Sequence, residues 1–211
     1  DVDGNEYNTV LIGDQCWMKE NLKTTKYRNG NDIEYPGSNS SGWSNNSSGA
    51  YALYSNDPGW GDYYGALYNW HAVNNSDGLC PVGWHVPGDS EWEMLIGFIQ
   101  GIDPEGIGNQ LKSCRQVNSP LGGDCTTGLH PRWDSDSQDY GTDDYGFSAL
   151  PGGNRNHTGS FNSLGEKGHW WSSTESGSST AWYRSMSYTS DDVYRGNYGK
   201  VHGYSVRCIK N

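Results

Sequence analysis

Residues 79–95 read LCPVGWHVPGDSEWEML and contain the start of the clearest helix in the chain. A Pro-Gly pair breaks the chain, and Ser90 with Glu93 has the spacing of a capping box. Apolar side chains then recur at intervals of three and four residues, which is the period of an amphipathic helix. The members of this stripe are Trp92, Leu95, Ile96 and Ile99. The pattern predicts a helix over residues 89–100.

Outside this helix the sequence favours short strands, because apolar or alternating runs are bounded by turn residues. We expect strands over residues 6–12, 15–22, 50–55, 146–150, 169–173, 180–188 and 203–209. Residues 65–73, GALYNWHAV, predict a short second helix. Residues 36–49 are rich in Ser, Asn and Gly, so no regular structure is expected there. These elements predict one α+β domain over residues 1–211.

The composition is polar but is not that of a disordered chain. Only 33% of the 211 residues are hydrophobic, yet the chain contains 10 Trp and 15 Tyr. Disordered segments have few aromatic residues, and each buried ring removes about 150–250 Å² from water. We therefore expect a core built largely from aromatic rings. The abundant Gly, Ser, Asn and Asp are expected in turns and loops.

The net charge of −11 restricts the partners of the chain. A negative surface repels nucleic acid and anionic lipid, so neither is expected as a partner. The sequence contains no apolar run of the length that crosses a bilayer, so we expect no membrane insertion of this segment. Polysaccharides, proteins and divalent cations remain as candidate ligands.

The five cysteines are Cys16, Cys80, Cys114, Cys125 and Cys208. They form no C-x-x-C pair and have no histidine at zinc-finger spacing, which disfavours a structural zinc site. Disulfides in an oxidising compartment fit better, so an extracellular or cell-surface location is expected. Cys114 and Cys125 enclose a polar loop and predict a local disulfide. The odd number leaves either a free thiol or a cross-link to another chain.

Several stretches resemble a known family when they are taken in order. They are DGNEYNTVLIGDQCWMKENLKT (3–24), YGALYNWHAV (64–73), LCPVGWHVPGDSEWEML (79–95), GNQLKSC (108–114), GFSALPGGNR (146–155), WWSSTES (170–176) and YSVRCIKN (204–211). They are similar to the Fibrobacter succinogenes major paralogous domain, a module of bacterial cell-surface and secreted proteins. The resemblance covers nearly the whole chain. It implies a C-type-lectin-like fold, in which the chain ends pair in a small sheet and long loops lie above a second sheet.

The resemblance also implies roles for particular residues. Cys80 and Cys208 lie in the family's commonest motifs and are expected to pair, which leaves Cys16 as the free or intermolecular thiol. Gly88 stands where family members usually have the helix N-cap, and Asp89 or Ser90 is expected to compensate. The tryptophans inside the motifs are expected in the core: Trp17, Trp70, Trp84, Trp92, Trp170 and Trp171.

Residues 176–203 are the main candidate for ligand binding. Their Tyr and Trp side chains stand among Ser, Gly, Asn and Arg, which is the composition of antibody paratopes. Such rings also stack on sugar faces, and in C-type-lectin-like folds the ligand-binding loops come from the matching part of the chain. With two tryptophans from elsewhere, the candidate residues are Trp43, Trp60, Trp182, Tyr183, Tyr188, Tyr194, Arg195 and Tyr198. The alternative is that half of these rings are simply core.

An acidic loop over residues 132–146 is a candidate calcium site. Its carboxylates suit Ca²⁺, which takes six to eight oxygen ligands in flexible geometry. The candidate ligands are Asp134, Asp136, Asp139, Asp143 and Asp144. The spacing is not that of an EF-hand, and the sugar-and-calcium signatures of C-type lectins are absent. A solvated acidic loop is therefore the alternative, and no other cofactor is expected.

Catalysis is not expected. The six histidines are scattered, and the sequence contains no G-x-S-x-G nucleophile elbow. Formylglycine-generating oxidases share the fold that the resemblance implies, but their reaction needs a redox cysteine pair near the C-terminus, where only Cys208 lies. An oxidase of this kind is the least favoured alternative.

These observations predict a non-catalytic extracellular recognition or adhesion module. We expect it to bind a polysaccharide or a surface protein through its C-terminal Tyr- and Trp-rich loops. The structural alternative is a subunit of an extracellular filament or surface layer that assembles with copies of itself. In that case Cys16 is available for a bond to a neighbouring subunit.

Overall fold

The computed structural model describes all residues from 1 to 211 and shows a mixed α+β fold of short elements. The strands are β1 (Thr9–Ile12), β2 (Gln15–Met18), β3 (Tyr51–Ala52), β4 (Leu67–Tyr68), β5 (Trp84–His85), β6 (Gly152–Arg155), β7 (Phe161–Leu164), β8 (Lys167–Gly177), β9 (Thr180–Ser187), β10 (Tyr194–Gly199) and β11 (Ile209–Lys210). The helices are α1 (Ser40–Ser44), α2 (Pro58–Tyr64), α3 (Trp70–Val73), α4 (Asp89–Gln100) and α5 (Ile107–Leu111). None of these helices has the length and apolar character needed to cross a membrane.

The two ends of the chain meet in a four-stranded antiparallel sheet with the order β1-β2-β11-β5. Ile209 in β11 pairs with Trp17 on one side and with His85 on the other. Both expected disulfides are present. Cys80–Cys208 closes a separation of 128 residues beside β11, and Cys114–Cys125 closes a separation of 11 residues. The remaining cysteine, Cys16, is a half-buried free thiol.

A second sheet has the order β10-β9-β8-β6-β7 and lies between two aromatic cores. The adjacent side chains of Trp170 and Trp171 belong to different cores because successive residues of a strand point to opposite faces. Trp170 joins a core that includes Trp17 and Trp92, and Trp171 joins one that includes Tyr204. The expectation of a core rich in aromatic rings is confirmed.

Helix α4 starts one residue before the predicted cap. The N-cap is Gly88, whose N–H donates to the side chain of Glu91 at 2.7 Å. The prediction of a capping box from Ser90 and Glu93 is therefore wrong. The reciprocal carboxylate comes from Glu91 because the chain enters the helix immediately after Gly88 in an extended conformation.

Asp89, the first residue of α4, joins this helix to the second sheet. Its N–H donates to Oγ1 of Thr174 in β8 at 3.0 Å. Its carboxylate accepts hydrogen bonds from Arg184 at 2.6 Å and from Arg195 at 2.7 Å. Burial raises the pKa of Asp89, but the hydrogen bonds from Arg195 and Arg184 outweigh burial and lower it overall. Because Arg184 is completely buried, this carboxylate is what balances its charge.

Two predicted segments contain elements that the sequence patterns did not indicate. Residues 36–49 contain α1, whose N-cap Asn39 accepts a hydrogen bond from the N–H of Gly42 at 2.9 Å. Residues 65–73 divide into β4 and α3 and do not form one helix. The division follows from Asn69, whose side chain accepts the N–H of Ala72 and starts α3 there.

Two further expectations need correction. Residues 146–150 are not a strand, because Gly146 and Ser148 have φ values of 66° and 55°, which extended backbone does not adopt. The strand β6 follows them. Residues 176–203 are mostly strand and not loop, since they include the end of β8, all of β9 and all of β10. The strand predicted over 180–188 is confirmed as β9, whereas β10 was not expected.

Replacing Asp89 with Ala should destabilise the fold by about 3–5 kcal/mol, because it leaves the buried guanidinium of Arg184 without a counter-charge. Urea unfolding monitored by tryptophan fluorescence measures the change. Glu93→Ala is the matched control, since Glu93 is 59% exposed and lies 3.7 Å from Arg195. Its cost should stay below about 1 kcal/mol. Equal losses in the two variants would contradict the role of Asp89.

The contribution of Asp89 should also depend on pH. Its folded pKa is lowered, so its stabilisation is complete above the unfolded pKa of about 3.9 and is lost as pH falls through the folded value. The difference in free energy of unfolding between the wild type and Asp89→Asn should be large at neutral pH and should shrink in strong acid. A difference that does not change with pH would contradict the ion-pair account.

Candidate functional site

The hairpin of β9 and β10 presents tyrosine rings on one face of the second sheet. Tyr194 lies opposite Ser185, and Tyr198 lies opposite Ala181. Between them, Gly196 lies opposite Tyr183. Residues directly opposite each other in an antiparallel pair share a face, so each large ring stands across from a small residue. We call the surface formed by Tyr183, Tyr194 and Tyr198 the tyrosine face.

Gly196 makes room for this arrangement. A Cβ atom at residue 196 would lie 2.6 Å from Cε1 of Tyr194 and 2.9 Å from Cε1 of Tyr183. The ring of Tyr183 therefore lies across the strand at the glycine and forms a floor that is only 9% exposed. On either side of it, Tyr194 and Tyr198 are 61% and 48% exposed. The outer rings stand free for contact while the inner ring supports them.

The tyrosine face continues into a larger aromatic network. The rings of Tyr183 and Tyr194 have centroids 6.1 Å apart, and Tyr183 lies 5.0 Å from Tyr204. His169 stacks on Tyr204 at 4.8 Å with an interplanar angle of 19°. Tyr198 packs edge-on against His202 at 4.3 Å. The exposed rings thus rest on a packed set of aromatic side chains that holds them in place.

A cavity of about 310 Å³, which we call the first cavity, lies at the Tyr194 end of this face. Its lining consists of Lys167, His169, Tyr183, Ser185, Ser187, Ser190, Asp192 and Tyr194. Burial, with smaller effects of Lys167 and His202, lowers the pKa of His169 to about 3, so this imidazole is neutral at physiological pH. Its Nδ1 has no hydrogen-bond partner in the fold.

A second cavity of about 580 Å³ lies at the Tyr198 end. Its lining consists of His71, His157, Ser178, Ser179, Thr180, Tyr198, Gly199, Lys200, Val201 and His202. The ammonium group of Lys200 is already paired with Glu175 at 2.7 Å and lies 4.6 Å from the ring centroid of Trp70. The lining includes no carboxylate, and its volume falls in the range of small-ligand sites.

His202 is neutral because of its surroundings. Its Nδ1 lies 3.2 Å from the carbonyl oxygen of Gly199, and its Nε2 lies 3.4 Å from the amide nitrogen of His157. A ring that donates at Nδ1 and accepts at Nε2 is uncharged. Burial lowers the pKa of His202 to about 4. The imidazole of His202 therefore brings no charge to the second cavity at physiological pH.

Three other candidate residues lie away from the tyrosine face. Trp182 and Arg195 belong to the opposite face of the hairpin, where the guanidinium carbon of Arg195 lies 3.5 Å from the ring centroid of Trp182. Arg195 is also bound to Asp89 and so helps to join helix α4 to the second sheet. Tyr188 packs against the core that contains Trp17. These three side chains are held by contacts within the fold and do not form part of the tyrosine face.

The two tryptophans from earlier in the chain also lie elsewhere. Trp43 is completely buried; its Nε1 donates to the carbonyl of Asn156 at 3.0 Å, and Arg155 lies 4.5 Å from its ring. This corrects the expectation that Trp43 is a surface ring. Trp60 is half-buried in a separate aromatic patch, 4.8 Å from His130 and 6.3 Å from the exposed Tyr63. Neither tryptophan contacts a ring of the tyrosine face.

The carboxylates of the acidic loop do not converge. Asp134 pairs with Arg132, and Asp136 accepts the backbone N–H of Asp139. Asp143 binds Ser148, while Asp144 accepts a hydrogen bond from the hydroxyl of Thr142. No set of three His, Cys, Asp or Glu side chains is placed to hold a metal ion. The expected clustering of these aspartates is therefore not found, and calcium binding stays a prediction.

A buried lysine organises the acidic loop from beneath. Nζ of Lys112 donates to the carbonyl oxygens of Asp139, Ser187 and Ser190. Burial lowers the pKa of Lys112 to about 8, against the attraction of nearby aspartates. The lysine thereby joins the acidic loop to the segment after β9. The loop is held to the rim of the first cavity, which Ser187 and Ser190 line.

The sequence patterns missed the histidines of the site. Nothing in the spacing of His169 and His202 places them beside the tyrosines. A signal for β10 does exist, because Tyr194, Gly196 and Tyr198 alternate with polar residues over 194–199. A strand assigned on this alternation would have put the two exposed tyrosines on one face.

Replacing Gly196 with Ala should destabilise the fold by about 1–3 kcal/mol, because the added methyl displaces the rings of Tyr183 and Tyr194. Near-ultraviolet circular dichroism and thermal unfolding would report both changes. Gly199→Ala is the control on the same strand, since its Cβ would meet its nearest neighbour, Nδ1 of His202, at an ordinary 3.5 Å. An unchanged aromatic spectrum in Gly196→Ala would contradict the close approach described here.

Comparison with known proteins bears on the whole chain. The model of the Fibrobacter succinogenes major domain matches residues 10–210. No curated protein and no solved structure matches the chain. Because the match spans nearly the full length, the chain belongs to the Fibrobacter succinogenes major domain family.

Proposed function

We propose that this protein is a non-catalytic extracellular recognition module that binds a polysaccharide through the tyrosine face. The observation that carries the proposal is the pair of exposed rings, Tyr194 and Tyr198, held on one face of β10. Surface tyrosines that are fixed by packing lose little entropy on binding and offer both a ring and a hydroxyl. Adhesion to a surface carbohydrate would use these properties directly.

The chemistry around the rings favours a carbohydrate. The flat face of a sugar presents C–H groups that pack on an aromatic ring, and its edge presents hydroxyl groups. In the first cavity, Ser185, Ser187 and Ser190 lie beside Tyr194 and the neutral ring of His169. In the second cavity, Ser178, Ser179 and Thr180 lie beside Tyr198. Rings next to hydroxyl and imidazole groups match both parts of a sugar.

Two features support the location and the type of fold. The disulfides Cys80–Cys208 and Cys114–Cys125 are typical of proteins in oxidising, extracytoplasmic compartments. The pairing of β1, β2 and β11 in one terminal sheet, with a second sheet that carries the candidate site, supports a C-type-lectin-like arrangement.

The non-catalytic assignment is supported by the second cavity and by the cysteines. Three histidines line that cavity, but no carboxylate stands among them to form an acid-base pair. Cys208, the only cysteine near the C-terminus, is bonded to Cys80. A dithiol of the oxidase type would need a second cysteine beside it.

Binding to insoluble polysaccharides tests the proposal. Cellulose, xylan, chitin and starch are each incubated with the folded protein, and the depletion of protein from solution is measured. We expect retention on at least one polymer and about tenfold weaker binding, or ~1.4 kcal/mol, for Tyr194→Ala and for Tyr198→Ala.

Tyr63→Ala is the matched control for this experiment. Tyr63 is 51% exposed on helix α2, outside the tyrosine face, so its loss should leave retention unchanged. Thermal unfolding establishes that all three variants are folded. Failure of the wild type to bind any polymer, or equal loss in all three variants, would contradict the proposal.

The second candidate function is assembly into a filament or surface layer. It is favoured by β10, which forms one edge of its sheet and so offers unpaired backbone groups to another chain. The half-buried free thiol of Cys16 could join neighbouring copies. Tyr194 and Tyr198 would then face a copy of the same protein.

Self-association of the purified protein distinguishes this second function. Assembly predicts concentration-dependent growth in sedimentation and a ladder on non-reducing gels that collapses with reductant. Cys16→Ser removes the ladder if the bond passes through this thiol. A monomer at every concentration, with no ladder, would rule out self-assembly and leave polysaccharide recognition as the account of the tyrosine face.

A further inference from the structure

We infer that the tyrosine face takes an extended, uncharged oligosaccharide that runs along β10 and occupies one subsite in each cavity. The inference rests on the proposed function and names the class of ligand and its direction. It is carried by the placement of Tyr194 and Tyr198 at the two ends of β10, each beside a separate cavity.

The first subsite is the cavity beside Tyr194. Its lining includes Tyr183, His169 and Tyr194. His169 makes no hydrogen bond within the fold through Nδ1, although its ring is firmly stacked on Tyr204. Because this Nδ1 is shielded from solvent, a ligand meets only the rest of the His169 ring, and the hydroxyls that line the cavity, on Ser185, Ser187 and Ser190, are the groups that can bond a sugar.

The second subsite is the cavity beside Tyr198. Here His202 already uses both ring nitrogens in bonds to Gly199 and His157, so its ring acts as a rigid support for Tyr198. The groups left to meet a ligand include the hydroxyls of Ser178, Ser179 and Thr180 and the rings of His71 and His157. This subsite therefore offers hydrogen bonds beside a ring, as the first one does.

The separation of the two rings requires a chain of sugars. Tyr194 and Tyr198 are four residues apart on one strand, so their Cα atoms lie about 13 Å apart along β10. A single sugar ring stacked on one tyrosine does not reach the other. Gly196 adds no side chain between them, and the rings of Tyr183 and Tyr194 both lie over it as an aromatic surface. A continuous ligand crosses at this point and stacks at both ends.

The charges around the path favour an uncharged ligand. The first cavity carries one cation and one anion at its lining, Lys167 and Asp192, which balance each other. In the second cavity, Lys200 is compensated by Glu175. The net charge of −11 repels a polyanion as a whole. Neutral hydroxyl groups, which both donate and accept hydrogen bonds, fit these surroundings.

The dependence of affinity on chain length tests the inference. The probes are oligosaccharides from disaccharide to octasaccharide, prepared from whichever neutral polymer retains the protein and titrated by calorimetry. Affinity should rise by about tenfold or more once the chain spans both rings and should then level off. Tyr194→Ala and Tyr198→Ala should each remove this gain for long chains, while Tyr63→Ala should preserve it.

Charge and pH provide the second arm of the experiment. The groups that face the ligand are His71, His157, His169, His202, Lys167, Lys200, Asp192 and the tyrosine hydroxyls. His169 and His202 stay neutral between about pH 5.5 and 8, so these two rings should contribute no pH dependence to the affinity for a neutral oligosaccharide over that range. A carboxylated oligosaccharide of the same length should bind at least about tenfold more weakly.

The outcomes separate this inference from the proposed function. If polysaccharide binds but a disaccharide binds as tightly as an octasaccharide, the two-subsite inference is overturned while recognition through the tyrosine face survives. Tighter binding of the carboxylated chain overturns the uncharged-ligand part alone. If no polysaccharide is retained, both fail together. Length-dependent affinity that is lost in both tyrosine variants and kept in Tyr63→Ala supports the inference.

Discussion

The ion pair between Asp89 and two arginines is the contact on which the candidate site depends. Arg184 lies in β9 and Arg195 in β10, and both bind the first residue of helix α4. Successive side chains of a strand point to opposite faces. Holding these arginines on one face of the hairpin therefore places their neighbours Tyr183 and Tyr194 on the other. Helix α4 therefore binds one face of the β9–β10 hairpin, and the tyrosine face lies on the opposite side.

Aromatic packing explains why so polar a chain has a well-packed site. The second sheet lies between two aromatic cores, so the hairpin is supported by large rings on each side. Tyr204 lies within one of these cores and also supports His169. The exposed rings extend outward from this packing, with side chains that are already ordered. Little ordering remains to oppose the binding of a ligand.

Part of this architecture could be predicted from the sequence and part could not. The stripe that includes Trp92 and Ile99 predicted a helix over residues 89–100, the bounds of α4, because an amphipathic period depends only on nearby residues. The pairing of Cys80 with Cys208 followed from a resemblance. The burial of Trp43 could not be foreseen, since it depends on Arg155 from a distant part of the chain. Which of the eight ligand candidates share a face could not be predicted either, because this is set largely by the register of β9 and β10.

Chemical-shift mapping tests most directly whether the ligand contacts the tyrosine face. Isotope-labelled protein is titrated with the neutral oligosaccharide that binds most tightly, and amide and aromatic signals are followed. We expect the perturbed signals to belong to β10, His169 and the segment around Ser179. Perturbations centred on Trp60 and Tyr63, with β10 unaffected, would contradict it.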